Sequence, residues 1–356
     1  MEKEDAMEHL TNALDLLSQP GLLIRENVIH YANAAARGML FREGDDIRPF
    51  LADQETPDFT EGAWFLQIQV GNQLLPATLT RRSDCDVLVL DNIQESQLQA
   101  MALVSRQFRG ILEPMMNAAD DLFSKFAQDS DPEVQQQMAL MNKQLFQLLR
   151  LSGNLSLGNA VSNPLETLEL SSFLEELFEK AGTLLSQASH SLRFTNEAGS
   201  VFQEADSQLL ERAILNILAN AAKFNANCAM EITLRRNGDR VSLTIADNGE
   251  GIADQVYPTL FRRYLRQPGL EDSRYGLGLG MSLIRSAAIA HGGTVLVTPG
   301  IQGGTRVVLT LSAKSKSGNQ LRSPIFRMDY TGGRDHQLVE LSGVLPKESY
   351  KAENIN

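Results

Sequence analysis

The chain has 356 residues, of which 43% are hydrophobic and 21% are charged, and its formal net charge is -12. This length and composition predict two or three globular domains, and the negative charge argues against non-specific binding to nucleic acid or anionic lipid. No apolar run approaches the roughly 18 residues of a membrane span, and the acidic start MEKEDAMEHL is unlike a secretory signal, so we expect a cytoplasmic protein. Cys85 and Cys228 stand far apart without a CxxC motif, which predicts reduced structural thiols.

Residues 1–95 have the pattern of one small α+β domain. An amphipathic helix over HLTNALDLL is followed by strand, turn, strand and helix in GLLIRENVIHYANAAARGML, and then by alternating strands with a turn at Gly71 and Asn72. The phrases VIHYANAAARGML and VLVLDNIQE resemble PAS sensor domains, in which an Asn opens a helix after a strand and the last strand runs into a signalling helix. The alternative is a small α+β dimerisation domain without a ligand.

Residues 96–159 contain two helical seams with apolar residues at alternating spacings of three and four. The seam residues are Met101, Val104, Phe108, Ile111, Met115, Ala118 and Leu122 in the first helix, and Val134, Met138, Met141, Leu145, Leu148 and Leu155 in the second. The segment QDSDPE separates them, with Ser130 or Asp131 as a cap and Pro132 in the first turn. One hairpin leaves an apolar stripe uncovered, so the pattern predicts a dimeric four-helix bundle. A coiled-coil spacer without chemistry is the alternative.

Residues 164–313 return to an α/β pattern. The predicted strands are ETLEL, SLRFT, MEITLRR, VSLTIA, GTVLVT and TRVVLTLS, and the predicted helices span residues 171–187, 207–225 and 278–291. Residues 314–356 begin as the polar linker SAKSKSGNQLRSP. For the tail that follows we expect either a small docking segment or disorder.

The helix predicted over residues 207–225 carries a polar face. Asn216, Asn220 and Lys223 are spaced by four and three residues, so they share one side of an otherwise apolar helix. Buried amides and a lysine need polar partners. A magnesium ion with attached phosphates would suit them, because an amide oxygen is a hard metal ligand and lysine is a phosphate cation. A capped or solvated face explains the pattern equally well.

Three further motifs follow in order. IADNGEGI places Asp247 at a strand end before Gly249 and Gly251, where its carboxylate can accept a hydrogen bond from an exocyclic amine; a simple turn is the alternative. LFRRYLR predicts a short helix with Phe261 as an apolar anchor. Its arginines, Arg263 and Arg266, would lie either beside an anion or in solvent. YGLGLG sets three glycines at the mouth of a helix, where backbone N–H groups can approach phosphate; a flexible hinge is the alternative. They are Gly276, Gly278 and Gly280.

In this order the motifs resemble the ATP-binding domain of sensor histidine kinases. The match runs over about residues 164–312 through an asparagine box, DNGEG, a phenylalanine box, GLGLG and a closing GGT. This GHKL (Bergerat) α/β sandwich is shared with gyrase, MutL and heat-shock chaperones of that type. The hairpin before it resembles the kinases' dimerisation and phosphotransfer domain. The resemblance implies a multidomain α+β chain with a PAS-like domain at 1–95, the hairpin at 96–159, the GHKL domain at 164–313 and a linker with a tail at 314–356.

The resemblance also implies ATP and Mg²⁺ as ligands and assigns residue roles. Asn220 would ligate Mg²⁺, Asp247 would read the adenine amine, and Asn216, Lys223 and Arg266 would be the catalytic residues. The other nucleotide-binding candidates are Gly249, Gly251, Phe261, Arg263, Gly276, Gly278, Gly280 and Thr305. The ATPases of the superfamily carry a glutamate base where this chain has Asn216, so the resemblance disfavours gyrase-like hydrolysis.

The family's phosphoacceptor histidine is missing. The kinases carry a phrase like S-H-E-L-R-T-P-L on the first hairpin helix, and the corresponding SRQFRGIL puts Arg106 at the acceptor position. Arginine stays cationic and cannot act as the nucleophile. We therefore weigh an ATP-binding pseudokinase that signals by conformation, a kinase that uses Ser105, another residue or a protein in trans, and a scaffold whose nucleotide serves only stability. A homodimer through residues 96–159 is the expected assembly, and a response regulator is a candidate partner.

Overall fold

The computed structural model describes residues 2–39, 41–51, 56–82, 85–91, 95–126, 131–156, 165–261, 280–301, 303–313, 331 and 333–355. The α-helices are α1 (Glu2–Asp15), α2 (Ala34–Arg37), α3 (Glu95–Phe126), α4 (Pro132–Ser156), α5 (Leu170–Ser186), α6 (Ser207–Lys223), α7 (Gly280–Ala290), α8 (His336–Glu340) and α9 (Ala352–Ile355). The β-strands are β1 (Gly21–Arg25), β2 (Val28–Ala32), β3 (Gly62–Val70), β4 (Gln73–Arg82), β5 (Cys85–Leu90), β6 (Glu166–Glu169), β7 (Ser191–Asn196), β8 (Phe202–Ala205), β9 (Ala229–Asn237), β10 (Arg240–Asp247), β11 (Thr294–Pro299) and β12 (Thr305–Ser312). Short 3-10 helices lie at Arg48–Phe50, Asp254–Thr259 and Lys347–Tyr350.

The N-terminal unit, residues 2–91, follows the element order that the sequence predicted. Its antiparallel sheet has the strand order β2-β1-β5-β4-β3, and the β3–β4 hairpin turns at Gly71 with φ +60°. Asn33 opens α2 as a cap, since its side-chain oxygen accepts hydrogen bonds from the backbone of Ala36 and of Gly21, both at 3.0 Å. A PAS identity for this unit stays a prediction.

Helices α3 and α4 form the predicted antiparallel hairpin. Ser105 donates to the backbone of Ser152 near one end, and Gln135 donates to the backbone of Phe126 near the other. The capping residue is Asp131, whose carboxylate accepts the backbone N–H of Glu133 at 2.9 Å. None of the helices in the described ranges is both long enough and apolar enough to cross a bilayer.

Most of the first predicted seam does not form the contact within this hairpin, although Phe108 of that seam is half-buried against the main core. The α3 residues that pack inward stand one position later, at Leu112, Met116, Ala119 and Phe123. The predicted seam remains exposed at Val104, Ile111, Met115 and Leu122. Helix α3 carries two adjacent apolar stripes. The rest of the described chain packs against the stripe that contains Leu112 and Met116, and most of the predicted stripe stays exposed.

The C-terminal α/β unit, residues 166–312, contains all six predicted strands and the three predicted helices. Strands β11, β12, β10, β9 and β7 form its sheet, and α5, α6 and α7 contribute apolar faces to a common core with it. The sequence pattern did not predict strand β8. It has four residues and pairs with β6 in a separate two-stranded sheet. A strand that short, with Gln203 and Glu204 at its centre, has too little alternation to be read from sequence.

The sheet of the N-terminal unit continues into the C-terminal unit. Strand β3 pairs antiparallel with β11, with Phe65 opposite Val295 and Trp64 opposite Leu296, which completes a ten-stranded sheet. Gly62 permits the close approach, since a Cβ there would lie 2.3 Å from the carbonyl oxygen of Val297. Each strand would otherwise present an unpaired edge, and pairing satisfies both.

The C-terminal segment, defined here as residues 335–355, docks on the helices. It contains α8, a 3-10 helix and α9, and it contacts α4 and α6. Five of its apolar residues join the main core: Leu338, Val339, Leu341, Leu345 and Tyr350. Of the two alternatives for the tail, docking is the one observed. The linker residues 314–330 lie outside the described residues.

Candidate functional site

The polar face of α6 forms one end of the candidate site. Asp206 caps the helix by accepting the backbone N–H of Leu209 at 3.1 Å, and an apolar run buries most of the helix. Asn216 is 1% exposed, whereas Asn220 and Lys223 are half-buried. No hydrogen bond joins the Asn220 side chain to another of the described residues. This half-buried amide is therefore available to a ligand.

The N-terminus of α7 lies against these two asparagines. A Cβ at Gly280 would lie 3.2 Å from Oδ1 of Asn216 and 3.7 Å from Nδ2 of Asn220. The first N–H groups of a helix lack intrahelical partners and carry the positive end of the helix dipole. The contact brings an anion-attracting helix end to the predicted amide pair.

Asp247 forms the other end of the site, where β10 stops. Its Oδ1 accepts the backbone N–H of Gly249 at 2.8 Å and that of Thr305 at 3.2 Å. Burial raises the pKa of this carboxyl group above its usual value, against the opposing effect of the two hydrogen bonds. Among the described residues, none bonds to Oδ2. One oxygen is thus fixed in place while the other can accept a hydrogen bond from a ligand.

Two glycines allow the backbone to close around Asp247. Gly304 has φ +74°, and a Cβ there would lie 2.0 Å from the Asp247 carbonyl oxygen and 2.8 Å from its Oδ1. Gly251 has φ +81°, and its Cβ would meet the carbonyl of Gly304 at 3.1 Å. L side chains are disfavoured at these positive φ angles, and a Cβ at either position would also meet backbone atoms. Gly251 and Gly304 therefore allow the DNGEG and GGT motifs to pack against each other.

Helix α6 connects the two ends. Just beyond its last residue, Asn225 donates to the side chain of Asn248 at 2.8 Å, and a Cβ at Gly249 would lie 3.8 Å from that of Asn225. The candidate site is therefore a strip that runs from Asn216 along the helix to Asp247.

Three residues that sequence reasoning did not single out complete the Asn216 end. Asn216 Oδ1 accepts a hydrogen bond from Arg150 of α4 at 3.0 Å, and its Nδ2 donates to Glu340 of α8 at 3.0 Å. Glu340 also accepts from Arg212 Nε at 2.9 Å. Arg212 stands four residues before Asn216, so helical spacing could have found it. Arg150 and Glu340 are far away in sequence, and no local signal marks them.

Comparison with known proteins agrees with this geometry. Residues 205–315 match the profile of the family described as "Histidine kinase-, DNA gyrase B-, and HSP90-like ATPase", a range that holds α6, the Asp247 turn, α7 and the GGT motif. The chain is related to sensor histidine kinases. Residues 205–315 resemble the ATP-binding (GHKL) domain of that family.

Two curated relatives illustrate the relationship. Sensor protein KdpD of Mycobacterium tuberculosis (strain CDC 1551 / Oshkosh) is 28% identical over 230 residues, which cover 63% of this chain and 26% of that protein. Sensor histidine kinase CusS of Escherichia coli (strain K12) is 31% identical over 169 residues, which cover 46% of this chain and 35% of that protein. The chain therefore spans well under two thirds of either relative.

A solved structure, full-length ShkA in complex with AMPPNP, is also similar. It is 20% identical and superposes with a TM-score of 0.49 over 60% of this chain and 45% of that one.

Part of the predicted GHKL site lies outside the described residues. Arg263, Arg266, Gly276 and Gly278 belong to residues 262–279, on which the structure is silent. Phe261 is described and is fully buried, with its ring centroid 5.7 Å from that of Phe65 in β3. In this structure the side chain of Phe261 therefore packs in the core shared with the N-terminal unit.

Arg106, which the sequence comparison predicts at the acceptor position of histidine kinases, lies within α3. Ser105, one alternative acceptor, is 1% exposed, and its hydroxyl donates to the carbonyl oxygen of Ser152 at 3.0 Å. A phosphate donor cannot reach this hydroxyl without local rearrangement. None of the five histidines lies on α3 or α4.

Proposed function

We propose that this chain binds Mg-ATP along α6, with adenine at Asp247 and the phosphates near the N-terminus of α7. Asp247 is the observation that carries the proposal. Its Oδ1 is held by Gly249 and Thr305, so its Oδ2 can accept a hydrogen bond from the 6-amino group of adenine. A fixed carboxylate acceptor selects a base that carries an exocyclic amine.

The opposite end of the strip has groups that suit phosphate and Mg²⁺. The amide oxygen of Asn220 is a hard ligand of the kind that Mg²⁺ prefers, and Lys223 adds a cation one turn further along α6. Gly280 begins α7 beside both asparagines, and as a glycine it adds no side chain of its own between the helix N-terminus and a phosphate oxygen. Bound Mg²⁺ would neutralise part of the phosphate charge.

Isothermal titration with Mg-ATP tests this proposal. We expect Asp247→Asn to weaken binding by about tenfold or more, since it replaces a charged hydrogen bond worth roughly 1.5–3 kcal/mol. Asp239→Asn makes the same chemical change directly before β10, at the opposite end of the strand from Asp247, and is the matched control. Equal affinities for wild type and both variants would overturn the assignment of adenine to Asp247.

We propose that the bound nucleotide serves signalling by conformation, because a kinase of the usual kind needs a nucleophile where this chain has Arg106. To test this role, the wild-type chain and the Asn220→Ala variant are each incubated with γ-labelled ATP and Mg²⁺. Absence of protein-bound label, with ATP binding measured separately, supports the pseudokinase.

A kinase acting on another residue or on a protein in trans is the second candidate function, and the intact asparagine box favours it. Label that Asn220→Ala abolishes would support it. Acid-labile label would indicate a histidine, and acid-stable label a serine or threonine. A response regulator added to the same reaction examines transfer in trans.

The exposed stripe of α3 supports a homodimer through residues 96–159. One apolar face of α3 is covered by no part of the described chain. Its residues are Val104, Ile111, Met115, Leu122 and Phe126. Burying such a stripe against a second copy would complete the four-helix bundle and remove apolar surface from water.

A further inference from the structure

The C-terminal segment reaches the Asn216 end of the proposed nucleotide site. Its Glu340 is fully buried, and one carboxylate oxygen accepts a hydrogen bond from Asn216 at 3.0 Å while the other accepts from Arg212 at 2.9 Å. A third group, Nε of Arg150, lies 3.4 Å from Glu340, which is an ion-pair distance rather than a directed hydrogen bond. The carboxylate therefore occupies an anion site built by two arginines and an amide.

Asn216 has no donor left for a nucleotide in this arrangement. A side-chain amide has two N–H groups, and here one donates to Glu340 and the other to the backbone carbonyl of Arg212, both at 3.0 Å. Its oxygen accepts from Arg150 at 3.0 Å. A phosphate oxygen can bond to this amide only if Glu340 withdraws.

Charge leads to the same conclusion. Arg150 and Arg212 together carry two positive charges, of which Glu340 neutralises one. A phosphate group approaching Asn216 would meet the Glu340 carboxylate in a low-dielectric setting, where like charges repel strongly. Withdrawal of Glu340 would instead expose both guanidinium groups to the phosphate. The carboxylate and the phosphate are thus alternative anions for the same cations.

The segment is held by its five buried apolar residues in the main core and by hydrogen bonds from α4. Three α4 side chains donate to its backbone carbonyls: Asn142 to Tyr350 at 3.1 Å, Lys143 to Leu345 at 2.6 Å and Gln147 to Ser342 at 3.0 Å. The ring of Tyr350 packs edge-on against Phe146 with centroids 5.2 Å apart. The segment thereby joins α4 of the hairpin to α6 of the GHKL domain.

We propose that the C-terminal segment is an intramolecular competitor of the nucleotide: Glu340 holds Asn216, Arg150 and Arg212, and nucleotide phosphates displace it. This inference rests on the proposed binding of Mg-ATP and adds regulation to that site. Since the same segment bridges α4 and α6, its displacement also loosens the contact between the hairpin and the GHKL domain. Nucleotide occupancy would then be communicated to the hairpin without phosphorylation.

Hydrogen exchange on the wild-type, full-length chain tests displacement directly. Backbone N–H groups of the segment are hydrogen-bonded, including Val339 to Asp335 at 3.1 Å and Leu341 to Gln337 at 2.9 Å. We expect Mg-AMPPNP to raise exchange in peptides covering residues 336–350 by about tenfold or more, because those bonds open when the segment leaves. Nucleotide binding with unchanged exchange there would overturn the proposal.

Substitution of the competing carboxylate provides a second test. Glu340→Gln keeps the shape but removes the charge, and we expect the apparent Kd for Mg-AMPPNP to fall by about tenfold, within the usual range of intramolecular coupling. Glu353→Gln, at an exposed carboxylate of the same segment, is the control and should leave Kd unchanged. An unchanged or higher Kd for Glu340→Gln would count against competition and indicate a permanent structural brace.

Asp247→Asn separates failure of this inference from failure of the proposed function. If wild type binds and Asp247→Asn does not, the nucleotide site is real, and the Glu340 results then decide competition alone. If neither wild type nor Glu340→Gln binds, the proposed function and the competition fail together. If only Glu340→Gln binds, the segment blocks the site fully in the wild-type protein, which supports the proposal.

Discussion

Arg285 of α7 forms a buried ion pair with Asp91, the last described residue after β5. The side chains are 4% and 11% exposed, and the guanidinium carbon also lies 5.2 Å from the ring centroid of Phe65. Helix α7 begins at Gly280 in the candidate site, whereas Asp91 precedes α3 by a few residues. This pair, with the β3–β11 strand pairing, connects the N-terminal unit to α7, the helix that begins in the candidate site. A change in the N-terminal unit therefore has a short physical route to α7.

We expect Asp91→Asn to lower the free energy of unfolding by about 3 kcal/mol, because it removes the carboxylate charge that pairs with the buried guanidinium group of Arg285. Thermal and urea unfolding of the full chain measure the change. Asp46→Asn breaks the exposed ion pair between Asp46 and Arg48 and is the matched control, for which we expect a smaller loss. Equal losses for both variants would show that the Asp91 pair contributes no more than a surface pair.

Gly304→Ala should abolish nucleotide binding. The added Cβ would lie 2.0 Å from the carbonyl oxygen of Asp247, so the loop must move and carry the Thr305 N–H away from the carboxylate. Gly303→Ala is the control, since Gly303 also has a positive φ but no atom lies within 4 Å of its Cβ position. That variant should cost only about 1–2 kcal/mol of backbone strain and keep measurable affinity for Mg-ATP. Binding by Gly304→Ala at wild-type strength would contradict the proposed geometry.

Binding of ATP should weaken on acidification at a higher pH than an ordinary aspartate would produce. The pKa of Asp247 is raised by burial, so on lowering the pH this group gains its proton before a solvent-exposed carboxyl group with pKa near 3.9 does. The protonated form has lost the charge that favours the adenine amine. Titration at a series of pH values, with Asp247→Asn in parallel, separates this effect from protonation of the nucleotide itself. Parallel profiles for the two proteins would exclude the role of Asp247.

Introducing charge on the exposed stripe of α3 should produce monomers. Ile111 is 65% exposed, and Met115 lies one turn further along the same face. Glutamate at both positions would place two charges in the proposed dimer core, where desolvation is costly. Asn117→Glu adds the same charge at an exposed position on the other side of the same helix and serves as the control. Sedimentation measures the mass, and a wild-type protein that is already monomeric would refute the dimer.

Local patterns were sufficient for the strip along α6. The spacing of Asn216, Asn220 and Lys223 places them on one helix face wherever the helix lies. A strand that ends in Asp247 before two glycines predicts a turn from those residues alone. Residues three or four positions apart on a helix have a fixed geometric relationship. The same holds for the hairpin, in which Asp131 and Pro132 mark the start of α4. The face that α3 uses could not be read in this way, since both of its stripes are apolar.

The amino-acid sequence by itself determined the helices of the C-terminal α/β unit and its strands other than β8, the polar face of α6, the Asp247 turn and the absence of a histidine at position 106, because each depends on neighbours within a few residues. Only the tertiary structure decided that β3 extends the sheet at β11 and that Glu340 and Arg150 meet at Asn216. Strand edges pair through backbone groups that every residue carries. Glu340 lies 124 residues beyond Asn216 in the chain, so its position depends on how the whole C-terminal segment packs against α4 and α6.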